Sequence, residues 1–401
     1  MCDSTRVVSG VKFEATPPGD IFIPREALDK PQERYPLEVM LCEDCGSIQL
    51  LNVVDPQILY GTYLYETSSS LGLPEHFRRY AREVVDLTGV LAGSLVVDIG
   101  SNDGTLLRCF QEMGMRALGV DPSPMAVATA RSRGVETIQA FFNRDMAADL
   151  RERHGSIAIV TANNVIANVD ALGDFVDGIR DLIDPDGYFV METGCGKSLF
   201  DNKLIDVVYH EHLSYFTVKP LEAFFRRHGM KMIDACHIPT KGGSIRCVVQ
   251  SERSSRVPER TVAAMIALEE EGGAGTLAPC REMTAFIRER KAGLLSLLDR
   301  LKAEGKTVAG YGASVGVTTL LYLMDLDRRL DYLLDDNPVR FGLFSPGHHV
   351  PVFDSREVAW RKPDYILILA WRYNDPIMKR HGAYTGRGGR FITFLPELRV
   401  I

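Results

Sequence analysis

Two short stretches of the chain hold residue types that could do chemistry together. Residues 209–216 place two imidazoles, one carboxylate and two phenols within eight positions. Histidine is the side chain best suited to take a proton near pH 7, a neighbouring carboxylate can orient it, and a phenol can donate to a developing oxyanion. Residues 98–104 run from an apolar strand into a turn with glycines, a pattern typical of a nucleotide-cofactor site. Together they predict an enzyme that transfers a group with such a cofactor.

A metal site is the alternative interpretation of the run Tyr209-His210-Glu211-His212. In a β-strand, His210 and His212 would share one face, as two ligands of one ion could. No further cluster of ligating residues lies near them in the sequence, so acid–base chemistry is the favoured interpretation.

The turn at residues 98–104 is expected at the carboxyl end of a parallel strand, where open α/β sheets bind ligands. Gly100 and Gly104 would let the backbone approach a ligand and adopt positive φ. The next strand ends at Asp121, where a carboxylate can accept hydrogen bonds from ribose hydroxyls. No G-x-G-x-x-G fingerprint is present, and the acidic Asp98 suits a cationic cofactor better than a pyrophosphate. The alternative is a purely structural turn in which Asp121 is an exposed helix cap.

S-adenosylmethionine fits these requirements, because it carries an ammonium and a sulfonium but no phosphate. The stretch resembles motif I of the class I S-adenosylmethionine-dependent methyltransferases. Two later segments are expected to line the same pocket: 141–143 would end a third strand beside the adenine, and 161–165 would end a fourth beside the methionine. Core packing and turn formation are the alternatives for these segments. The predicted cofactor contacts are Asp98, Gly100, Ser101, Asn102, Gly104, Asp121, Pro122, Phe142, Asn143, Asn163 and Asn164.

Length and composition limit the class of protein. A chain of 401 residues is expected to form two or more domains. The net charge of −7 argues against nucleic-acid or anionic-membrane binding. No apolar run is long enough for a transmembrane helix, and the N-terminus lacks the regions of a signal peptide. We therefore expect a cytoplasmic protein whose eight cysteines are thiols or metal ligands.

The predicted fold class is α/β: a class I methyltransferase Rossmann-like domain, a second, C-terminal Rossmann-like domain, and a small irregular N-terminal module. Alternating helix and strand patterns predict a parallel sheet with helices on its faces. The predicted regions are a small irregular N-terminal module at 1–70, a cofactor-binding domain at 71–250, a helical connector at 251–304 and a second Rossmann-like domain at 305–401.

These segments, in this order, resemble the C-methyltransferases that act on nucleotide-linked 4-keto deoxysugars. The resemblance covers nearly the whole chain, and the Tyr-His-Glu-His run is its most specific part. The matching stretches are 42–46, 63–65, 98–104, 161–165, 209–216, 242–246, 310–313 and 335–338.

The resemblance implies a role for each matching group. His212 is the implied base, Tyr209 and Glu211 shape the site, and Tyr63 lies near the transferred methyl or the substrate. The implied cofactors are S-adenosylmethionine and zinc, the latter held by Cys2, Cys42 and Cys45. The implied partner is a small-molecule acceptor, a nucleotide-sugar, bound by a monomer or a homodimer. The expected acceptor contacts are Tyr65, Lys241, Gly243, Ser244, Arg246, Tyr311, Ser314, Asp335 and Asn337.

Three departures from the family pattern affect these expectations. A structural zinc site needs four ligands, and only Cys2 precedes the Cys42–Cys45 pair near the start. Lys241 stands where the family usually has a histidine. The turn at 311–318 lacks a lysine that the family often carries there. The last two departures predict an acceptor that differs from a typical thymidine-diphosphate sugar.

Three other functions are alternatives to this one. An O- or N-methyltransferase acting on another small molecule keeps the cofactor and changes the acceptor. A non-catalytic binding or scaffold protein with two Rossmann-like units is disfavoured by the intact 209–212 run. An oxidoreductase is disfavoured by the missing G-x-G-x-x-G at either strand-turn.

Overall fold

The computed structural model describes residues 1–60, 67–69 and 72–401, and its first sheet belongs mainly to the N-terminal module. Four antiparallel strands form this sheet, in the order β1-β2-β3-β9. Its fourth strand comes from the 209–216 stretch, so the reactive segment is part of the N-terminal sheet. The elements are β1 (Val7–Lys12), β2 (Glu38–Cys42), β3 (Ile48–Leu50), α1 (Pro56–Tyr60) and, from the middle of the chain, β9 (Ser214–Tyr215).

The central domain is built on a seven-stranded sheet. Its strands are β4 (Leu95–Ile99), β5 (Arg116–Asp121), β6 (Glu136–Gln139), β7 (Ile157–Asn163), β8 (Ile183–Gly194), β10 (Met230–Ile238) and β11 (Ser244–Ser251). The strand order is β10-β11-β8-β7-β4-β5-β6. The five strands β4 to β8 are parallel, as the sequence predicts, whereas β11 runs antiparallel to both β8 and β10.

Helices cover both faces of the central sheet. They are α2 (Leu73–Thr88), α3 (Thr105–Glu112), α4 (Pro124–Ser132), α5 (Arg144–His154), α6 (Leu172–Leu182) and α8 (Val218–Arg227), whereas the short α7 (Gly196–Asp201) packs near α10. Two separate apolar cores, one on each face, hold the helices to the sheet. The carboxyl ends of β4, β5 and β7 therefore open onto a common edge, where a ligand can bind.

A helical connector leads to a second parallel sheet, with strand order β14-β13-β12-β15-β16-β17 and only β17 antiparallel. This confirms the predicted second Rossmann-like unit. The connector helices are α9 (Arg260–Glu271) and α10 (Ala278–Ala303). The C-terminal elements are β12 (Val308–Tyr311), α11 (Val315–Leu323), β13 (Tyr332–Asp335), β14 (Val352–Asp354), α12 (Val358–Arg361), β15 (Tyr365–Ile368), α13 (Asn374–Arg380), α14 (Gly382–Thr385), β16 (Arg390–Thr393) and β17 (Arg399–Val400).

One apolar core is shared between the two ends of the chain. It joins Val39 of the N-terminal sheet, Leu294 of α10, Leu320 of α11 and Ile205, which precedes the reactive segment. The N-terminal and C-terminal regions thus stabilise each other and enclose residues 204–208. The predicted division into four regions stays a prediction, because this core crosses its boundaries.

No helix among residues 1–60, 67–69 and 72–401 is long and apolar enough to cross a membrane. The longest, α10, carries charged residues along its whole length.

Candidate active site

The turn after β4 contains two glycines in left-handed backbone conformations. Gly100 has a φ of 69° and Gly104 a φ of 76°, both in the left-handed region that favours glycine. A Cβ at Gly100 would overlap the Val165 side chain, and one at Gly104 would crowd Val135. The glycines therefore serve the close packing of this turn against the loop after β7 and against the β6 side of the sheet.

The carboxyl group that ends β5 is buried and firmly oriented. Asp121 is only 6% exposed, so it is not an exposed helix cap. Its Oδ2 accepts the Asn102 N–H at 2.9 Å, and its Oδ1 accepts the Ser123 N–H at 2.8 Å, across Pro122. Each carboxylate oxygen has a further lone pair, so two more hydrogen bonds, such as those from a ribose diol, can be accepted.

Asp98 lies under the same turn. The Thr161 hydroxyl donates to its Oδ1 at 2.6 Å. Burial, partly opposed by this hydrogen bond and reinforced by the charge of Asp121, raises the pKa of Asp98 to about 7. Near neutral pH this carboxyl group can therefore gain or lose a proton as the charge of its surroundings changes.

Polar atoms without partners point to a ligand beside these carboxylates. The two side-chain amide atoms of Asn163 and the Ser101 hydroxyl are buried, and none has a well-formed hydrogen bond to the residues described. Unpartnered buried polar atoms are costly, and native proteins keep few of them. Asn164, which follows at the end of β7, has a left-handed φ of 57°. Asn163 and Asn164 belong to the segment that is predicted to lie beside the methionine end of the cofactor.

A short segment ahead of α2 closes onto the cofactor turn, a contact that the sequence did not reveal. The Thr67 N–H donates to Asn102 Oδ1 and the Ser68 N–H to Asp103 Oδ2, both at 2.9 Å. Arg133 pairs with Asp103 at 2.9 Å. Polar side chains that follow glycines in a turn were the available signal, but their partners lie more than thirty residues away in the chain.

The predicted adenine-side strand is shorter than expected. The third strand, β6, ends at Gln139, so residues 141–143 follow it as a loop. Asn143 is the N-cap of α5 and accepts the Met146 N–H at 2.9 Å, because helix starts recruit short polar side chains. Phe142 makes an edge contact with Phe175, with ring centroids 5.4 Å apart. The adenine contacts of Phe142 and Asn143 stay predictions.

The reactive segment holds an oriented tyrosine–histidine pair. His212 Nδ1 lies 2.8 Å from the Val207 carbonyl oxygen, which can only accept, so Nδ1 carries the proton. His212 Nε2 lies 2.9 Å from the Tyr209 hydroxyl, and their rings are 4.1 Å apart. In the neutral ring, Nε2 is then an acceptor, and the Tyr209 O–H donates to it.

Burial sets the protonation states of this segment. It lowers the pKa of His212 to about 4, with the positive charges of Lys241 and Arg372 adding to the shift and the Val207 carbonyl opposing it. His212 is thus neutral near pH 7 and able to accept a proton. Burial, followed by the negative charge of Asp20, raises the pKa of Glu211 to about 8, so this carboxyl group is mainly protonated near pH 7. Tyr63 and Tyr65 lie outside the described residues.

The metal interpretation of residues 209–212 is wrong for the described part of the chain. These residues form a turn, not a strand, so His210 and His212 point to different partners. His210 Nε2 donates to the Tyr35 carbonyl oxygen at 3.1 Å and ties the segment to the N-terminal module. Neither histidine belongs to a ligand cluster among the residues described.

The cofactor turn and the reactive segment are joined through the loop after β7. Val165 packs on Gly100, and the turn Ile166–Asn168 that follows contacts β9. This loop therefore brings the cofactor turn and the 209–216 segment close to each other.

Arg246 was expected to contact the acceptor, and its position corrects this. It is 6% exposed, and its guanidinium pairs with Glu192 at 3.1 Å and with Glu83 at 2.6 Å above the Tyr80 ring. Glu192 also contacts His76 at 2.8 Å. Arg246 and Glu192 are buried and paired, whereas Glu83 is exposed; the bonds link α2 to the sheet. A lone glutamate in a buried strand was the only signal for Glu192.

Most other predicted acceptor contacts also stabilise local structure. Gly243 packs against Ser198, and the Ser244 hydroxyl donates to the Thr240 carbonyl oxygen at 3.2 Å. Lys241 and Ser314 are exposed, Lys241 in a left-handed turn next to the reactive segment. In the C-terminal domain, Tyr311 donates to Asp336, Asp335 accepts two backbone N–H groups, and Asn337 caps the turn Pro338–Arg340.

Three thiols converge in the N-terminal module. The Cys2, Cys42 and Cys45 sulfur atoms lie within 4.8 Å of one another, and Cys2 and Cys42 are 3.5 Å apart. Sulfur ligands of a tetrahedral zinc ion, each about 2.3 Å from the metal, have similar mutual separations. The three residues therefore fit three of the four positions of a structural zinc site.

Three family models match the chain in succession. They are described as "Putative zinc binding domain", over residues 1–60, "Methyltransferase domain", over 75–235, and "C-methyltransferase C-terminal domain", over 239–396. C-methyltransferase NovU of Streptomyces niveus is 32% identical over 392 residues, 98% of this chain and 93% of the relative.

Other matches cover the methyltransferase part. Ubiquinone biosynthesis O-methyltransferase of Azorhizobium caulinodans is 27% identical over 122 residues, 30% of this chain and 47% of that protein. A solved structure, magnesium protoporphyrin IX methyltransferase from Synechocystis PCC 6803 with bound SAH, covers 49% of this chain and 92% of its own, with 16% identity and a TM-score of 0.36.

The sheet order, the cofactor turn and the methyltransferase-domain match define a class I S-adenosylmethionine-dependent methyltransferase. The near full-length match is to a methyltransferase that acts on carbon. The chain therefore belongs to the C-methyltransferase family, whose N-terminal zinc-binding region and C-terminal domain it also matches. This confirms the family resemblance found in the sequence.

Proposed function

We propose that this enzyme methylates the carbon next to the ketone of a nucleotide-linked 4-keto deoxysugar, in the biosynthesis of a secondary metabolite or a surface sugar, with His212 as the general base. The orientation of the His212 ring carries the proposal. A backbone carbonyl group fixes the Nδ1 proton at 2.8 Å, so the basic Nε2 faces the Tyr209 hydroxyl at 2.9 Å.

The proton moves to a defined atom. A carbon next to a ketone is acidic because the carbanion delocalises onto oxygen as an enolate. His212 Nε2 takes this proton, and the C–H electron pair becomes the enolate. The charge that develops on His212 is stabilised by the Val207 carbonyl group, which accepts the Nδ1–H bond.

Two side chains next to His212 can donate hydrogen bonds to the enolate oxygen. Once the acceptor is bound, the Tyr209 hydroxyl can turn from His212 Nε2 to donate to the oxyanion. Glu211, held mainly protonated near pH 7 by burial, is a second donor of the same kind. Donors that are positioned before the reaction stabilise an oxyanion without reorganisation.

When bound, S-adenosylmethionine would supply an electrophilic methyl group to the enolate carbon, and the electrons of the sulfur–methyl bond would remain on sulfur. Asp121 would accept hydrogen bonds from the ribose, the Asn163 amide would lie at the methionine end, and Gly100 lets the turn pack against Val165. Positioning of the carbanion and the methyl group provides much of the rate increase.

Lys241 is the residue proposed to select the acceptor. It is exposed next to the reactive segment, and its charge reaches His212. A lysine in this place suits an anionic group such as the diphosphate of a nucleotide-sugar.

Product analysis tests the proposal. A panel of nucleotide-linked 4-keto deoxysugars, incubated with the enzyme and S-adenosylmethionine, should yield a product whose new methyl group NMR locates on the carbon next to the ketone. In D2O, with S-adenosylhomocysteine in place of the donor, that carbon should exchange its hydrogen. Methyl transfer to oxygen or nitrogen, or turnover only on acceptors without a ketone, would contradict it.

A further inference from the structure

We propose that Arg372, in the C-terminal domain, is a positioning residue for methyl transfer: by holding Asp206, it fixes the backbone carbonyl group that orients His212. The inference rests on the proposed function in one respect, which is the role of His212 as the base. It assigns the C-terminal domain a part in the reaction that does not require contact with the acceptor.

The ion pair between the two residues has a defined geometry. Arg372 Nη1 donates to Asp206 Oδ1, and Arg372 Nη2 lies against Asp206 Oδ2, both at 3.1 Å. The Asp206 side chain is 10% exposed and that of Arg372 is 30% exposed. Two parallel, largely buried bonds between a guanidinium and a carboxylate fix orientation as well as distance.

Asp206 is placed to transmit this constraint. It is the middle residue of the turn Ile205–Val207, and the carbonyl oxygen of the next residue, Val207, accepts the His212 Nδ1–H at 2.8 Å. One peptide unit therefore separates the residue that Arg372 holds from the group that sets the His212 tautomer.

Two further groups of the C-terminal domain grip the same turn. Gly316, in the first turn of α11, packs so closely on the Asp206 carbonyl group that a Cβ there would overlap it. The Thr319 hydroxyl donates to the Val208 carbonyl oxygen at 2.8 Å. Residues 206–208 are thus fixed on one side by α11 and on the other by Arg372.

The charged and titratable groups around His212 come from three elements. Tyr209 and Tyr215 belong to its own segment, Lys241 to the turn before β11, and Arg372 to the C-terminal domain. Arg372 also packs beside Gly242, next to Lys241. Removal of Arg372 should therefore have two effects at once: the Val207 carbonyl group is released, and the positive electrostatic potential at His212 decreases.

The test reads the His212 ring directly and needs no acceptor. Protein labelled with 15N-histidine should show His212, assigned by the loss of its signals in His212→Asn, as the Nδ1–H tautomer from pH 5.5 to 8. In Arg372→Gln the two ring nitrogens should move towards the averaged shifts of a mixed tautomer. Arg329→Gln is the matched control, because Arg329 makes a similar two-bond pair with Asp299 of α10, away from the site.

Kinetics give the second readout, with the nucleotide-linked 4-keto deoxysugar that shows the highest turnover in the acceptor panel as the probe. Arg372→Gln should lower kcat by roughly 10- to 100-fold, the loss expected when a reacting group is misplaced by about 1 Å, and leave the KM for S-adenosylmethionine within about twofold. Arg372→Lys should recover only part of the rate, since an ammonium cannot make the paired bonds. Arg329→Gln should keep the wild-type kcat.

Each result has a clear consequence. Unchanged His212 ring shifts in Arg372→Gln would overturn the inference, as would full recovery of the ring shifts and kcat by Arg372→Lys. If Arg372→Gln does not fold, Asp206→Asn carries the same test from the other side of the pair. If the ring shifts respond to Arg372 but His212→Ala keeps full turnover, the positioning stands and the proposed base is wrong.

Discussion

The two Rossmann-like domains use the same device at their first turn. In the central domain, Asp121 at the end of β5 accepts the Asn102 N–H from the turn after β4 at 2.9 Å and the Ser123 N–H from its own loop at 2.8 Å. In the C-terminal domain, Asp335 at the end of β13 accepts the Ala313 N–H and the Asn337 N–H, both at 2.7 Å. Each carboxylate clamps two loops at the carboxyl edge of its sheet.

The two turns differ in what covers them. Among the residues described, buried polar atoms of Ser101 and Asn163 that lack a well-formed hydrogen bond lie beside the central turn, as expected next to a ligand site. Protein covers the C-terminal turn instead, because Gly316 packs on the Asp206 carbonyl group and Gly19 packs on Val315. The same strand-turn-helix pattern therefore lies at the predicted cofactor site in one domain and packs against Asp206, just before the reactive segment, in the other.

The largest effect is expected at the point where the two domains meet. His212→Ala should lower turnover by about 10²- to 10⁴-fold, as for a positioned acid–base group. Its affinity for S-adenosylmethionine should remain that of the wild type by calorimetry, because the ring acts on the acceptor. The turnover of Tyr209→Phe should fall less than that of His212→Ala if the phenol only orients His212. It should fall by a similar factor if the phenol donates to the enolate. Near-normal turnover in His212→Ala would transfer the role of base to Tyr63, Tyr209 or Glu211.

Substitution of the two equivalent aspartates, Asp121 and Asp335, tests which turn binds the cofactor. Asp121→Ala should weaken S-adenosylmethionine binding by about 10- to 150-fold, which corresponds to the roughly 1.5–3 kcal/mol of hydrogen bonds to a charged group. Asp335→Ala, the matched control, should lower the Tm and leave this affinity within about twofold. Equal losses of affinity in the two variants would show that both turns hold the cofactor.

The N-terminal module should affect the two turns unequally. Elemental analysis should find about one zinc per chain, and Cys42→Ser should lose it, because this change removes one of the three clustered thiols. Because Gly19 packs on the C-terminal turn, zinc loss should lower the Tm and turnover more than the affinity for S-adenosylmethionine. A stable, fully active protein with well under one zinc per chain would show that the metal is dispensable.

The smallest effect is a change in proton binding at the central turn. The pKa of Asp98 lies near 7 in the free protein, and a cationic cofactor favours the ionised carboxyl group. Binding at pH 7 should therefore release up to about half a proton, and the release should fade above about pH 8.5. Calorimetry in two buffers of different ionisation enthalpy measures this number. The release should disappear in Asp98→Asn and persist in Asp335→Asn.

Much of the central fold could be predicted from the sequence. The apolar strand expected before the 98–104 turn is β4, Leu95–Ile99, and the strand expected to end at Asp121 is β5, Arg116–Asp121. The turn at 98–104 and the acid at Asp121 could be assigned to one site because their chemistry is local: strand ends meet at one edge of a parallel sheet. The Tyr-His-Glu-His run was recognisable because its members lie next to one another.

Tertiary structure alone decided which polar residues face a ligand and which face the protein. Arg246 and Tyr311 have side chains that suit an acceptor, yet Glu192 and Asp336 are their partners. Arg372 carries no local signal, and its partner Asp206 is 166 residues away. Local sequence determines the strand, the turn and the reactive group, because periodicity and residue type act over a few positions. The partner of a buried charge depends on which distant chain fills the space beside it, and packing settles that only after the domains have assembled.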